Sequence, residues 1–287
     1  MEILLLLETS PVFFIIAAGT SGLVVGSFLN VVIHRLPIIM DRAWTSECRE
    51  HLGEPVPETG EQARFNLLTP ASRCPHCNHR IGTLENIPVI SYLFLKGRCR
   101  ECGTAISPRY PTVELTTALL SIITALHFGY SVETVAALGF TWALVPLFLI
   151  DFDHQILPDS ITLPLLWAGL FLSLFSVFID TQSSLIGAMA GYLSLWSIFH
   201  LFKLITGKEG MGYGDFKLLA AIGAWVGWQA LPVVILFSSV VGAAIGILLI
   251  VLKGRDHSQP MPFGPFLAAA GWMTLLWGND IIRLYLQ

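Results

Sequence analysis

The chemistry most directly available to this sequence lies in two aspartates. Asp151 closes an apolar run as Leu149-Ile150-Asp151-Phe152-Asp153-His154, and Asp215 follows three alternating glycines in Gly210-Met211-Gly212-Tyr213-Gly214-Asp215. Two carboxylates a few ångströms apart cannot both ionise comfortably, so one of them keeps a proton. Such a pair can hydrolyse an amide: the ionised member takes a proton from water while the protonated member polarises the carbonyl. Gly212 and Gly214 support this reading, because glycine adopts positive φ and lets another chain approach closely. Ordinary duties compete at each position. Asp159, after Pro158, reads as the N-cap of the next helix, and Asp215 taken alone reads the same way. Asp153 and His154 fit the solvated end of a helix equally well.

A second constellation is Cys74-Pro75-His76-Cys77 and Cys99-Arg100-Glu101-Cys102. Two Cys-x-x-Cys turns at this separation each aim two thiolates at one point, which is the pattern of a tetrahedral structural zinc site. A redox pair or unmetallated thiols are the alternatives, and disulfides seldom persist in a reducing cytosol. His76 and His79 are spare candidate ligands; Cys48 reads as an inert thiol.

The elements that must position these groups are membrane helices. Of 287 residues 54% are apolar and 13% charged, against about 25% charged in a soluble domain. Windows without Asp, Glu, Lys or Arg cover 9–34, 115–132, 134–150, 160–179, 181–202, 218–252 and 257–279. A bilayer crossing takes about 20 apolar residues. The longest window is therefore split at Gln229 and Pro232 into 216–228 and 231–252, the first being short enough to be tilted or re-entrant. The expectation is an all-α polytopic membrane protein with about eight transmembrane helices. It divides into a first helix at 9–36, a small zinc-binding loop domain at 37–112, and a seven-helix catalytic domain at 113–287.

Lysine and arginine accumulate on the cytoplasmic side. With the N-terminus outside, fifteen of the sixteen fall inside, leaving only Arg283 outside. Both termini are then external, and the cysteine loop and both aspartates are cytoplasmic. A net charge of −4 gives no basis for a nucleic-acid partner.

Gly26-Ser27-Phe28-Leu29-Asn30-Val31-Val32-Ile33-His34-Arg35-Leu36-Pro37, the paired Cys-x-x-Cys turns, Asp151 seven residues before Pro158, and Gly212-Tyr213-Gly214-Asp215 occur in an order that resembles the type IV prepilin peptidases. The resemblance spans nearly the whole chain. It implies Asp151 and Asp215 as the catalytic pair, and prepilins and type II secretion pseudopilins as substrates, cut between a short basic leader and an apolar helix. It also implies methylation of the new N-terminus from S-adenosylmethionine, with Gly97 matching a glycine linked to that step, in a bacterial inner membrane. Asp153, Asp159 and Glu114 are candidates for meeting the leader's positive charge. Glu85, Asn86, Arg109, Tyr110 and Glu114 are polar candidates near the methyl-transfer region, or equally residues that hold the loop against the helices. The rival reading is an ion- or proton-coupled transporter with a regulatory zinc loop, and a third is a membrane scaffold.

Among the remaining features, Asn30 suits an interhelical hydrogen bond, and Gly19, Gly22, Gly26, Gly242 and Gly246 sit at spacings for close helix packing. Trp225, Trp228, Trp272 and Trp277 suit interfacial anchoring. Pro260 to Pro265 reads as a stiff turn before the last helix.

Overall fold

The computed structural model describes residues 2–54, 65–253 and 261–286, and among them it is helical with no extended strand. The chain forms two compact units, residues 1–130 and 131–287.

The first unit carries α1 (Glu2–Thr9), α2 (Pro11–His51), the short α3 (Ile90–Phe94) and α4 (Arg109–Phe128). α2 packs along α4 because the glycines of α2 leave it no side chain there. A Cβ on Gly22 would stand 2.7 Å from the Ala118 Cα, and one on Gly26 would stand 2.8 Å from the Glu114 Cα. Asn30 Nδ2 donates to the Tyr110 carbonyl at 3.1 Å, the interhelical bond expected of it. The helix expected at 9–36, α2, runs 41 residues, well beyond residue 36, with Pro37 inside it. A proline in a helix removes one hydrogen bond and bends the axis, and the ordinary helix formers that follow carry the helix on to His51. On either side of Pro37, Arg35 and Arg42 both turn towards the loop. Arg35 donates to the carbonyls of Asn66 and Pro70 at 3.0 and 2.7 Å, and the Arg42 guanidinium lies 4.3 Å from the Phe65 ring centroid.

The second unit holds α5 (Val132–His154), α6 (Asp159–Ser173), α7 (Thr181–Thr206), α8 (Tyr213–Val226), α9 (Leu231–Lys253) and α10 (Gly264–Leu286). Its centre is α8, whose Phe216, Leu218, Leu219, Ala221, Ile222 and Ala224 are wholly buried, with α6, α7 and α10 packed around it. At 14 residues and about 1.5 Å of rise each, α8 is too short to cross a bilayer. The close approach of α7 depends on missing side chains: a Cβ on Gly187 would land on the Gly223 carbonyl oxygen, and one on Gly191 would be 2.6 Å from the Leu219 oxygen. One turn before Gly187 on α7, Ser184 Oγ donates to the Ala224 carbonyl at 2.6 Å.

Eight helices fall near the eight expected positions, but among the described residues five are long and apolar enough to cross a membrane, so eight crossings are not shown. α6 ends at Ser173 rather than near 179. The apolar residues that follow form a turn, in which Ser176 takes φ +52 and Phe178 packs 5.8 Å from the Trp225 ring. Trp225 itself is a core residue rather than an interfacial anchor, 3% exposed, with its indole donating to the Leu165 carbonyl at 2.8 Å.

Candidate active site

Asp151 lies in the last turn of α5 and Asp215 in the first turn of α8. The end of α5 is set by Gln155, whose left-handed backbone returns its N–H to the Asp151 carbonyl at 2.9 Å. The start of α8 is set by aromatic packing: Phe216, next to Asp215, has the rings of Tyr192, Phe199 and Tyr213 at 5.9, 5.6 and 5.5 Å. Asp215 is the third residue of the helix and Gly212 is the N-cap, so the capping role offered by the sequence belongs to the glycine. Asp215 and Asp151 interact electrostatically.

Both carboxylates are more than nine-tenths buried, at 6% and 7% exposure. Asp151 Oδ2 and Asp215 Oδ1 have no hydrogen-bond partner. A buried carboxylate oxygen without a partner costs on the order of 1–3 kcal/mol or more, and native structures keep such groups where they are used.

The segment between α5 and α6 joins the two acids. A Cβ on Gly214 would be 2.8 Å from Leu157 Cβ, so a glycine is required there by close approach. Gly212 is not needed for positive φ, since its φ is −83. On the other side of Leu157 stands Gly264, the first residue of α10: a Cβ on it would be 2.6 Å from Asp151 Oδ2 and 3.1 Å from Leu157 Cδ1. Read from sequence, Gly264 belongs only to a stiff turn, because a contact across more than a hundred residues has no local signature. In the structure it brings a helix N-terminus against Asp151, where partial positive charge favours an anion. Gly264→Ala is expected to lower turnover about 10- to 100-fold with thermal stability nearly unchanged, because a displacement of about 1 Å at a reacting group costs that much. Steady-state kinetics beside a thermal melt would check it.

The structure does not bring the other acids into this pair. Asp159 is the first residue of α6 with Pro158 at the N-cap, and its carboxylate accepts from Lys217 Nζ at 2.7 and 2.9 Å. Asp153 is exposed in the last turn of α5; two residues from Asp151, it faces another side of the helix.

In the first unit, the four Sγ atoms of Cys74, Cys77, Cys99 and Cys102 lie within 4.8 Å of one another. Cys74 to Cys102 is 3.8 Å and Cys77 to Cys99 is 3.9 Å, close to the edge of about 3.8 Å that a tetrahedron with Zn–S bonds of about 2.3 Å requires. The two turns repeat each other. Cys74 N–H donates to the His79 carbonyl and Cys99 N–H to the Thr104 carbonyl, and the residue after each pair, Asn78 or Gly103, has φ of +58 or +70. The residues can hold one metal ion.

Neither histidine is needed as a ligand. His79 Nε2 lies 3.0 Å from Glu85 Oε2, which also accepts the Gly82 N–H at 3.0 Å. These partners hold the Glu85 carboxyl below the usual carboxylate range, so the stabilisation is present above the ordinary glutamate value and is lost as pH falls. Glu114 is buried and accepts the Val89 N–H at 2.7 Å. It thus holds the loop to α4, the structural role weighed for it. Gly97 has φ +66, and a Cβ there would stand 2.9 Å from the Tyr92 hydroxyl.

Residues 20–128 match the model of the bacterial peptidase A24 N-terminal domain, and residues 138–247 match that of the type IV leader peptidase family. The chain is 58% identical over 266 residues to a prepilin leader peptidase/N-methyltransferase of Aeromonas salmonicida, covering 93% of this chain and 91% of that one. It is 55% identical over 288 residues to the protein of that description from Pseudomonas aeruginosa, covering 100% and 98%, and 56% identical over 279 residues to that of Dichelobacter nodosus, covering 96% and 94%. No solved structure matches the chain.

Proposed function

The chain belongs to the type IV leader peptidase family, and from that membership we propose that it is a membrane aspartic endopeptidase whose catalytic pair is Asp151 and Asp215. Its substrates are type IV prepilins and type II secretion pseudopilins, cut between a basic leader and an apolar helix. The observation that carries the assignment is the pair of buried, unpartnered oxygens, Asp151 Oδ2 and Asp215 Oδ1, at the ends of two helices of one unit. One carboxylate takes a proton from water as its oxygen attacks the scissile carbonyl, and the other, protonated, donates to the carbonyl oxygen. The proton held by the first then passes to the leaving amine. Gly264 keeps bulk away from Asp151, and Gly214, beside Gly212, lets Leu157 pack against the turn that carries Asp215. The positive-inside distribution of lysine and arginine supports a cytoplasmic site in a bacterial inner membrane, with both termini outside.

The second activity is N-methylation of the new N-terminus, the reaction named for relatives in Aeromonas and Pseudomonas. S-adenosylmethionine supplies the methyl group. Gly97 belongs to this activity: any side chain there would displace the Tyr92 hydroxyl and strain the backbone. Zinc is the metal for the four cysteines, closing the loop between residues 74 and 102 without taking part in chemistry. Protein purified without chelator is expected to hold one zinc per chain by elemental analysis. Cys74→Ser and Cys99→Ser should each lose the metal and loosen the loop to proteolysis while leaving the helix content intact.

The whole reading is tested by incubating the purified protein with a prepilin and labelled S-adenosylmethionine. Mass spectrometry should find the shortened chain with a labelled methyl on its first residue. An uncut prepilin would end the reading, and cleavage without label would remove the second activity alone.

A further inference from the structure

One helix face in the second unit is left partly uncovered by the described residues. On α5, Ala136, Gly139 and Ala143 lie one above another at helical spacing, and they border a groove of about 550 Å³ whose other wall is Ile161, Pro164 and Ala168 of α6. Trp225 forms its floor, and no charged side chain lines it. The glycines elsewhere in the helix interiors of this unit meet a neighbour: Gly169 faces Trp225, Gly187 faces Gly223, Gly242 faces Phe266 and Gly271 faces Ile222. Around Gly139 nothing lies within 4 Å of a Cβ position. A glycine inside a helix costs about 0.5–1 kcal/mol relative to alanine, and no described residue uses the space it leaves.

We propose that this groove seats the membrane-embedded apolar helix of the substrate, an inference that rests on the peptidase reading above. Three observations select this occupant. First, the surface suits a helix: small residues at three- and four-residue spacing let a second backbone come close, which is how helices associate in lipid. Second, the groove runs towards the acids. Its upper end is formed by Ala143 and Ser160; α5 runs on from Ala143 to Asp151, and Ser160 follows Asp159, which is held by Lys217, two residues from Asp215. Third, the length is right. α5 has 23 residues, about 34 Å at 1.5 Å per residue, and the groove starts at Val132 in its first turn. A helix lying along it and crossing about 30 Å of hydrocarbon ends at the depth of Asp151, where its chain must unwind for cleavage.

The test replaces Gly139 by leucine, which fills the groove from a position that no neighbour contacts. Two substrates are compared in proteoliposomes: a full-length prepilin, and a short peptide carrying the leader and the first few mature residues. The ratio of kcat/KM for the long substrate over the short one should fall about tenfold or more in Gly139→Leu, the scale of overpacking at a helix contact. An unchanged ratio overturns the proposal. In a second arm, a photo-crosslinking amino acid at position 139 should capture the apolar helix of the prepilin; capture of lipid alone overturns it. If the wild-type protein cleaves neither substrate, the peptidase reading itself has failed, an outcome distinct from both.

Discussion

Asp151→Asn and Asp215→Asn should each lower the turnover of leader cleavage by at least about a thousandfold, the range expected when a positioned acid or base is removed. Asparagine keeps the shape of the side chain but can neither take the proton from water nor give one to the carbonyl. The double variant should be little worse than either single one, because groups that act as a unit are not additive. Neither change should harm the fold: each replaces a buried carboxylate that has an unpartnered oxygen, and a neutral amide is cheaper to bury than a charge. Thermal melts in detergent and helix content by circular dichroism separate lost chemistry from lost structure. Wild-type turnover in either variant would remove that residue from the pair and with it the mechanism.

The largest effect on stability is expected at Gly187, far in sequence from either acid. A methyl added there meets the carbonyl oxygen of Gly223, a backbone atom in the last turn of α8 that cannot rotate aside. α7 must then move off α8, breaking the Ser184 to Ala224 bond and loosening the aromatic packing that orients the first turn of α8. Gly187→Ala should cost about 3 kcal/mol or more, the upper range of overpacking, read as a lowered thermal midpoint and reduced yield of folded protein. The same substitution at Gly139, where the space is open, should instead raise stability by about 0.5–1 kcal/mol. If Gly187→Ala melts with the wild type, the tight contact between α7 and α8 is not what holds the site.

Much of this was legible in the sequence because membrane helices announce themselves by absence of charge. The windows at 134–150 and 181–202 became α5 and α7 with ends shifted by a few residues, since polar residues such as Asp151 and Lys203 extend a helix as readily as apolar ones. The acids and cysteines were legible by type and spacing. What escaped was tertiary. Asp159 looks like a cap, but Lys217 on a neighbouring helix takes its carboxylate. Trp225 looks like an interfacial anchor, yet it lies beneath Gly169, where no side chain competes for the room. Gly264 looks like turn punctuation until α10 is placed against Asp151. Pro37 looks like a helix end, and only the contact of Arg42 with Phe65 beyond the membrane-length stretch shows what the continued helix reaches.

The long α2 has a consequence of phase. Its 41 residues extend about 62 Å at 1.5 Å each, roughly twice the hydrocarbon thickness. Arg35 and Arg42, two turns apart, grip the segment around Phe65 from a single stripe. Inserting one residue between Pro37 and Asp41 would swing Arg42 by about 100° and tear one grip from the other, whereas inserting seven would restore the angle and lift it about 10 Å. The shaft therefore behaves as a threaded screw, on which insertions are tolerated by their pitch and not by their size.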